Sequence, residues 1–84
     1  MKLSVKAFAL ASSALWGGAI LFAGCGHALW PPYGQAFLDV IASVYPGLGN
    51  VAGSARIVAA TAYGLVDGAV AGGLAAWIYN KLAR

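Results

Sequence analysis

The chain has 84 residues, of which 62% are hydrophobic and 8% are charged, and its mean hydropathy is +0.82. A single domain of this length is too small to hide so much apolar surface from water, so an ordinary soluble globular protein is excluded. We expect a lipid bilayer to cover most of the surface. The net charge of +3 comes mainly from Lys and Arg near the two ends, which is typical of membrane topology and not of a nucleic-acid-binding surface.

The first predicted element is a transmembrane helix over about residues 7–30, named TM1. It contains no formally charged residue, only the titratable His27. At a rise of about 1.5 Å per residue the segment is long enough to cross a hydrocarbon core of ~30 Å with some tilt. Small residues follow it at near-heptad spacing and predict close packing against a neighbouring helix: Ala7, Ala11, Ala14, Gly18, Cys25 and Ala28.

The same segment has an alternative interpretation. Lys2 and Lys6, the apolar run and Phe22-Ala23-Gly24-Cys25 also fit a lipoprotein signal or another secretory signal sequence. We expect the segment to be retained as TM1, with Cys25 as a small packing residue. One cysteine excludes an internal disulfide and a multi-cysteine metal site.

The second predicted element is a short amphipathic helix over about residues 34–44. Pro31 and Pro32 end TM1 before it, and Trp30 and Tyr33 are expected to anchor this end at the lipid head groups. The helix is too short to span, so we expect it to lie on the membrane surface. Its predicted apolar face consists of Ala36, Phe37, Val40, Ile41 and Val44.

The third predicted element is a second transmembrane helix, TM2, over about residues 54–79. Trp77 and Tyr79 form its aromatic anchors. Every fourth residue in its middle is small, a glycine-zipper pattern that predicts a close helix–helix interface: Ala60, Gly64, Gly68, Gly72 and Ala76. Whether TM1 or another protein fills this line is left open by the sequence.

Asp67 is an ionisable residue near the middle of TM2. Such a position costs roughly 2.5–3.5 kcal/mol on insertion scales, which makes it a candidate functional residue. It fits a proton carrier, a pore-lining group or an acceptor for a partner's Arg, Lys or Trp. The alternative, which we favour together with a partner contact, is a protonated or hydrogen-bonded packing group. We place Asp67 level with about Ile20, with the Trp16 indole as the best donor within the chain.

The remaining polar residues carry less specific signals. His27 fits a ligand to a haem or chlorophyll-like macrocycle, but we favour an interfacial histidine bonded to backbone or water. Arg56 is expected to reach the head groups and also fits a pair with Asp39. The sequence has no phosphate loop, paired carboxylates, Ser/His/Asp set or metal-ligand spacing, so we expect no enzyme activity, cofactor or metal.

These elements together predict a single all-α membrane domain over residues 1–84. It is an antiparallel two-helix transmembrane hairpin with a short amphipathic interfacial helix between the spans. Lys2, Lys6, Lys81 and Arg84 lie beyond the same ends of the two spans, so the positive-inside rule places both termini in the cytoplasm of a bacterial inner membrane. Expected partners are the bilayer and other transmembrane helices, with no nucleic acid.

Several segments resemble a family of small bacterial two-span proteins. The resemblance rests on residues 2–10 with Trp16-Gly17, on Val44-Tyr45-Pro46-Gly47, on residues 63–68 and on residues 76–82. Members of this family are often labelled bacteriophage holins or uncharacterised membrane proteins. The resemblance implies a pore-forming lysis protein, with Asp67 and Gly68 as the family's Asp-Gly pair and residues 77–80 as its closing motif.

The preferred hypothesis is a non-enzymatic accessory subunit. It would dock through the glycine line of TM2 onto a larger membrane assembly, for example a respiratory or photosynthetic complex. The main alternative is a holin-like self-assembling pore with Asp67 facing water, and a third is a small ion or proton conductor that uses Asp67.

Overall fold

The computed structural model describes residues 2–48, 51 and 54–83, and in these ranges it contains three α-helices and no strand. They are α1, Val5–Leu29; α2, Gln35–Val44; and α3, Ser54–Leu82. The molecule is elongated, with extents of 47 × 22 × 18 Å. The predicted all-helical class is confirmed.

The ends of α1 follow from local chemistry. The Ser4 hydroxyl accepts a hydrogen bond from the Ala7 backbone N–H at 3.2 Å, which satisfies one of the free donors of the first turn. The helix ends where the Trp30 N–H donates to the Gly26 carbonyl at 2.8 Å, because two prolines follow.

The two long helices pack antiparallel, and the line of small residues on α3 forms their interface. All five of its members are buried. A Cβ atom on Gly68 would lie 2.7 Å from the Ser12 carbonyl oxygen, and one on Gly64 would lie 3.3 Å from the Gly17 Cα. The backbones therefore touch, as small-xxx-small spacing allows. The line of small residues on α3 is therefore covered by α1 of the same chain.

The predicted line of small residues on α1 does not take part in this interface. Ala14 and Gly18 are exposed, and a Cβ on Gly18 would meet nothing within 4 Å. α1 instead turns another face to α3, with buried Gly17, Ile20, Ala23 and Gly24. Neighbouring residues of a helix are rotated by about 100° from each other, so the near-heptad line of small residues lies on a different face of α1 from the one that packs on α3. Its packing against another helix stays a prediction.

The short helix α2 lies along the hairpin and does not cross its tip. Gly34 adopts φ 70°, a left-handed conformation that suits glycine and lets the chain reverse after Leu29. The Phe37 and Trp16 rings pack edge to face, with centroids 6.0 Å apart. Tyr45, at the end of α2, then bonds to Trp16, which is near the middle of α1. α2 therefore descends about half the length of α1.

A small core lies where α2 meets the hairpin. Its buried members are Ile20, Ile41, Tyr45, Leu48 and Ala60. Of the predicted apolar face of α2, Phe37 and Ile41 face this core, whereas Val40 and Val44 are exposed. The helix carries apolar residues on both its inner and its outer side.

The far ends of the hairpin are joined by one asparagine. The Leu3 N–H donates to the Asn80 Oδ1 at 2.7 Å, and the Asn80 Nδ2 donates to the Leu3 carbonyl at 2.8 Å. Asn80 lies in the last turn of α3, which continues to Leu82, three residues beyond the predicted end of TM2.

Both long helices are long and apolar enough to cross a membrane. In each, only 22% of the most apolar window is buried inside the molecule, whereas the core helix of a soluble protein is mostly buried. Large apolar side chains are exposed along their length, including Leu15, Phe22, Val58 and Val66.

Candidate functional site

Three side chains form a hydrogen-bonded chain half-way along the hairpin. The Tyr45 hydroxyl donates to the Asp67 Oδ2 at 2.9 Å. The Trp16 indole N–H donates to the same hydroxyl oxygen, also at 2.9 Å. Each residue comes from a different part of the fold: the middle of α1, the end of α2 and the middle of α3. We call this set the polar triad.

Tyr63 holds Tyr45 in this position. The two rings stack with centroids 4.9 Å apart and planes inclined by 14°. The Tyr63 hydroxyl donates to the Pro46 carbonyl at 2.6 Å, which fixes the turn after α2. These two contacts of Tyr63 therefore help to orient the Tyr45 hydroxyl towards Asp67.

The structure corrects the predicted surroundings of Asp67. The neighbouring Gly68 lies against Ser12 and Ser13, so Asp67 is level with about Ser13 and not with Ile20. The predicted alignment was wrong because it matched the ends of two spans, whereas α3 extends further and its end is joined to Leu3. Trp16 does belong to the site, but it donates to Tyr45, and Tyr45 is the direct donor to Asp67.

Tyr45 is the functional candidate that the sequence analysis missed. Phe37, Ile41 and Tyr45 follow one another at intervals of four residues, so a helix extended by one residue places all three on one face. That spacing is the signal that was available.

The environment of Tyr45 favours its neutral, donating form. Only 6% of the residue is exposed. Burial raises the pKa of the Tyr45 phenol above its usual value of 10.0, and the Asp67 carboxylate raises it further, while the bond from Trp16 acts in the opposite direction. The phenol therefore remains a hydrogen-bond donor to Asp67 at neutral pH.

Asp67 lies in an open groove between α1 and α3, which we call the lower groove. It has a volume of about 410 Å³. Among the α3 residues that line the groove, Asp67 is the nearest to the start of the helix. The other polar residues in the lining are Ser12 and Trp16. The remaining walls are apolar or small: Phe8, Leu15, Ala19, Gly68, Ala71, Gly72 and Ala75.

A second concave site, the tip cavity, lies between the end of α1, the outer half of α2 and the start of α3. It has a volume of about 380 Å³. Its apolar wall includes Ile20, Ile41, Leu48, Ile57 and Ala60. Its polar residues are His27, Gln35, Asp39, Ser54 and Arg56.

The polar side chains of the tip cavity are held by nearby groups. His27 Nδ1 lies 3.0 Å from the Tyr33 carbonyl, in agreement with a histidine bonded to backbone. The Arg56 Nε donates to the Val51 carbonyl at 2.7 Å. The Gln35 amide donates to an Asp39 carboxylate oxygen at 2.8 Å.

The other predicted residues lie on the surface. The aromatic anchors Trp30, Tyr33, Trp77 and Tyr79 are all exposed. The Lys81 ammonium lies 5.6 Å from the centroid of the Trp77 ring, within range of a cation–π contact. Cys25 is an exposed free thiol, and the described ranges contain no group of three His, Cys, Asp or Glu residues placed to hold a metal ion.

Comparison with protein-family models, curated proteins and solved structures finds no match to this chain. The resemblance to holin-like proteins therefore stays a prediction.

Proposed function

We propose that this chain is a non-enzymatic integral membrane protein of a bacterial inner membrane. In this proposal α1 and α3 span the bilayer, both termini are cytoplasmic, and the hairpin is an accessory subunit that binds a helix of a larger complex, for example a respiratory or photosynthetic one. The observation that carries the proposal is the lower groove, an apolar surface with a carboxylate half-way along the hairpin.

The docking surface in this proposal is the lower groove and not the glycine line of α3. Gly64, Gly68 and Gly72 are buried against α1, and of these only Gly68 and Gly72 reach the wall of the groove. Ala71 and Ala75 lie on the face of α3 next to the glycine line, where they are exposed and line the groove. Small residues there permit the close approach on which helix association in lipid depends.

The charge of Asp67 favours a partner helix that carries a hydrogen-bond donor. A carboxylate at the centre of a bilayer costs roughly 2.5–3.5 kcal/mol. Tyr45 supplies one bond to Asp67, and this bond occupies only Oδ2. An Arg, Lys or Trp side chain on a partner helix would satisfy Oδ1 and offset part of the remaining cost.

The test is extraction of the protein from its native membranes in mild detergent, followed by size separation and mass spectrometry. We expect a larger complex at fixed stoichiometry, and we expect Asp67→Asn and Ala71→Phe each to reduce the recovered partner several-fold. Ala62→Phe is the matched control for Ala71→Phe, because Ala62 is an exposed residue of the same helix outside the groove. A wild-type chain that migrates alone contradicts the accessory role.

A second candidate function is a self-assembling, holin-like pore. The observation that favours it is the outward line of small residues on α1, in which Ala14 and Gly18 are exposed and free to meet another copy. In that case the same size separation would show a series of homo-oligomers of this chain and no other protein. Induced expression would also collapse the membrane potential, and Gly18→Leu would prevent the collapse.

A further inference from the structure

We propose that the tip cavity binds the head group of a phospholipid that carries a primary amine, with the start of one acyl chain against the cavity's apolar wall. This inference goes beyond the accessory role and does not depend on any protein partner. It needs only that the hairpin is inserted in a membrane.

The size and the walls of the tip cavity suit an amphiphilic ligand. Its volume of about 380 Å³ falls in the range of about 300–1,000 Å³ that is usual for small-molecule sites. One wall is formed by Ile41 and Leu48, which are 4% and 2% exposed, together with Ile57. Polar residues from α1, α2 and α3 complete the lining, so the site has one apolar and one polar part.

The polar part contains both signs of charge. Arg56 and Asp39 line the same cavity, at the start of α3 and in the middle of α2. A guanidinium matches the geometry of a phosphate, and a carboxylate accepts hydrogen bonds from an ammonium group. A head group with phosphate and primary amine matches the charges of both residues at once. An anionic head group without an amine would bring its negative charge near Asp39 without an ammonium group to offset the repulsion.

Both charged side chains are positioned by the fold. Gln35 holds one carboxylate oxygen of Asp39 at 2.8 Å, and the Val51 carbonyl holds the Arg56 Nε at 2.7 Å. Side chains that are already ordered lose less conformational freedom when a ligand binds. The site is therefore preorganised for a ligand with two opposite charges.

His27 and Ser54 add further hydrogen-bonding groups. A carbonyl only accepts, so His27 Nδ1 donates to the Tyr33 carbonyl, and in a ring with a single proton Nε2 is then an acceptor. The Ser54 hydroxyl both donates and accepts. The amine and the glycerol oxygens of a phospholipid are suitable partners for these two groups.

The location of the cavity also fits a lipid. It lies beside the end of α1 that is followed by exposed Trp30 and Tyr33, residues that favour the head-group level of a bilayer. An acyl chain that leaves the cavity would pass along exposed apolar side chains of the long helices.

The test uses the full-length protein and native mass spectrometry of lipids that it retains in detergent. The probes are phosphatidylethanolamine, phosphatidylcholine and phosphatidylglycerol with identical acyl chains, offered at equal concentration. We expect phosphatidylethanolamine to be retained about tenfold more than phosphatidylcholine, the size expected for a hydrogen bond to a charged group. Asp39→Asn should abolish that preference, and Arg56→Gln should reduce retention of all three lipids.

Two further variants guard against an effect on folding. Ala28→Phe fills the cavity without changing a charge and should also reduce retention, whereas Lys81→Gln removes a cation at the other end of the hairpin and should not. Circular dichroism verifies the helix content of each variant. Equal retention of the three lipids by the wild type, or unchanged retention in the cavity variants, overturns the proposal.

Glycerophosphoethanolamine distinguishes a lipid from a soluble phosphate ester. We expect it to displace the lipid only at a concentration at least about a hundredfold higher, because it lacks the acyl chain whose burial contributes about 0.8 kcal/mol per methylene, or roughly fourfold. Displacement at equal concentration overturns the lipid assignment. Asp67→Asn leaves this site intact, so the accessory role and the lipid site fail independently.

Discussion

At the scale of single residues, the hairpin depends on the absence of a side chain at Gly68. The Ser12 carbonyl oxygen and the Ser13 Cα would lie 2.7 and 2.9 Å from a Cβ at this position. Both are backbone atoms, so they cannot move aside as the end of a flexible side chain does. Any larger residue must separate the two helices.

Gly68→Ala should therefore destabilise the hairpin by about 1–3 kcal/mol, the usual cost of overpacking. Gly18→Ala is the matched control, since its Cβ would meet nothing within 4 Å. It should be neutral or stabilise the helix by up to about 1 kcal/mol, because alanine is the better helix former. Unfolding in detergent micelles by added dodecyl sulfate, followed by circular dichroism, measures both. Equal stability of the two variants would contradict the backbone contact at Gly68.

Tyr45→Phe should break the polar triad. The change removes the hydroxyl that bonds to Trp16 and Asp67, so both side chains lose this hydrogen bond. We expect a loss of about 1–3 kcal/mol in stability. In a background in which Trp30 and Trp77 are replaced by Phe, the emission of Trp16 should also shift.

Tyr33→Phe is the control for this change. The described residues give the Tyr33 hydroxyl no hydrogen bond, and its ring contact with Phe22 is retained in the variant. Its effect should stay within about 0.5 kcal/mol, the range usual for surface substitutions. A Tyr45→Phe protein as stable as this control would show that the triad contributes nothing to the fold.

The sequence predicted some of these residues and not others for a physical reason. The line from Ala60 to Ala76 and the lone carboxylate of Asp67 are properties of one helix, and a single periodicity shows them. Tyr45 acquires its role only when α2 folds back on the hairpin. No local pattern fixes that contact, because it joins residues 22 and 29 positions apart.

At the scale of elements, α2 is the part whose placement differs most from the expectation. Its existence and its bounds follow from the apolar period and from the break at Pro46. Its direction follows from contacts that periodicity does not encode: Gly34 beside Ala23, Phe37 on Trp16 and Tyr45 on Asp67. An amphipathic pattern predicts which face is covered, but not whether protein or a membrane surface covers it.

A depth measurement tests this placement. If α1 and α3 span the bilayer, Val44 should lie much deeper than Gln35, because α2 descends along the hairpin. Spin labels on Val44→Cys and Gln35→Cys, each with Cys25→Ala, should differ in their accessibility to oxygen and to a water-soluble relaxation agent. Both side chains are exposed, so each label has room. Equal depths would support a helix that lies flat on the membrane surface.

At the scale of the whole molecule, the two ends of the chain are held together. Asn80 makes two bonds to the Leu3 backbone, and Lys2, Lys6 and Lys81 lie at the same end of the hairpin. Among the described residues, Arg56 is the only Lys or Arg near the other end. The antiparallel arrangement thus concentrates positive charge on one side, which the charge pattern of the sequence already indicated.

The distribution of positive charge predicts the orientation in the membrane. The end with the lysines should face the cytoplasm, since loops rich in Lys and Arg are retained there. In intact cells that carry Cys25→Ala, a membrane-impermeant maleimide should label Pro32→Cys but not Lys81→Cys. Opening the cells should make Lys81→Cys reactive, which shows that its thiol is intact. Labelling of Lys81→Cys in intact cells would reverse the orientation, and labelling of both positions there would contradict a hairpin that spans the membrane.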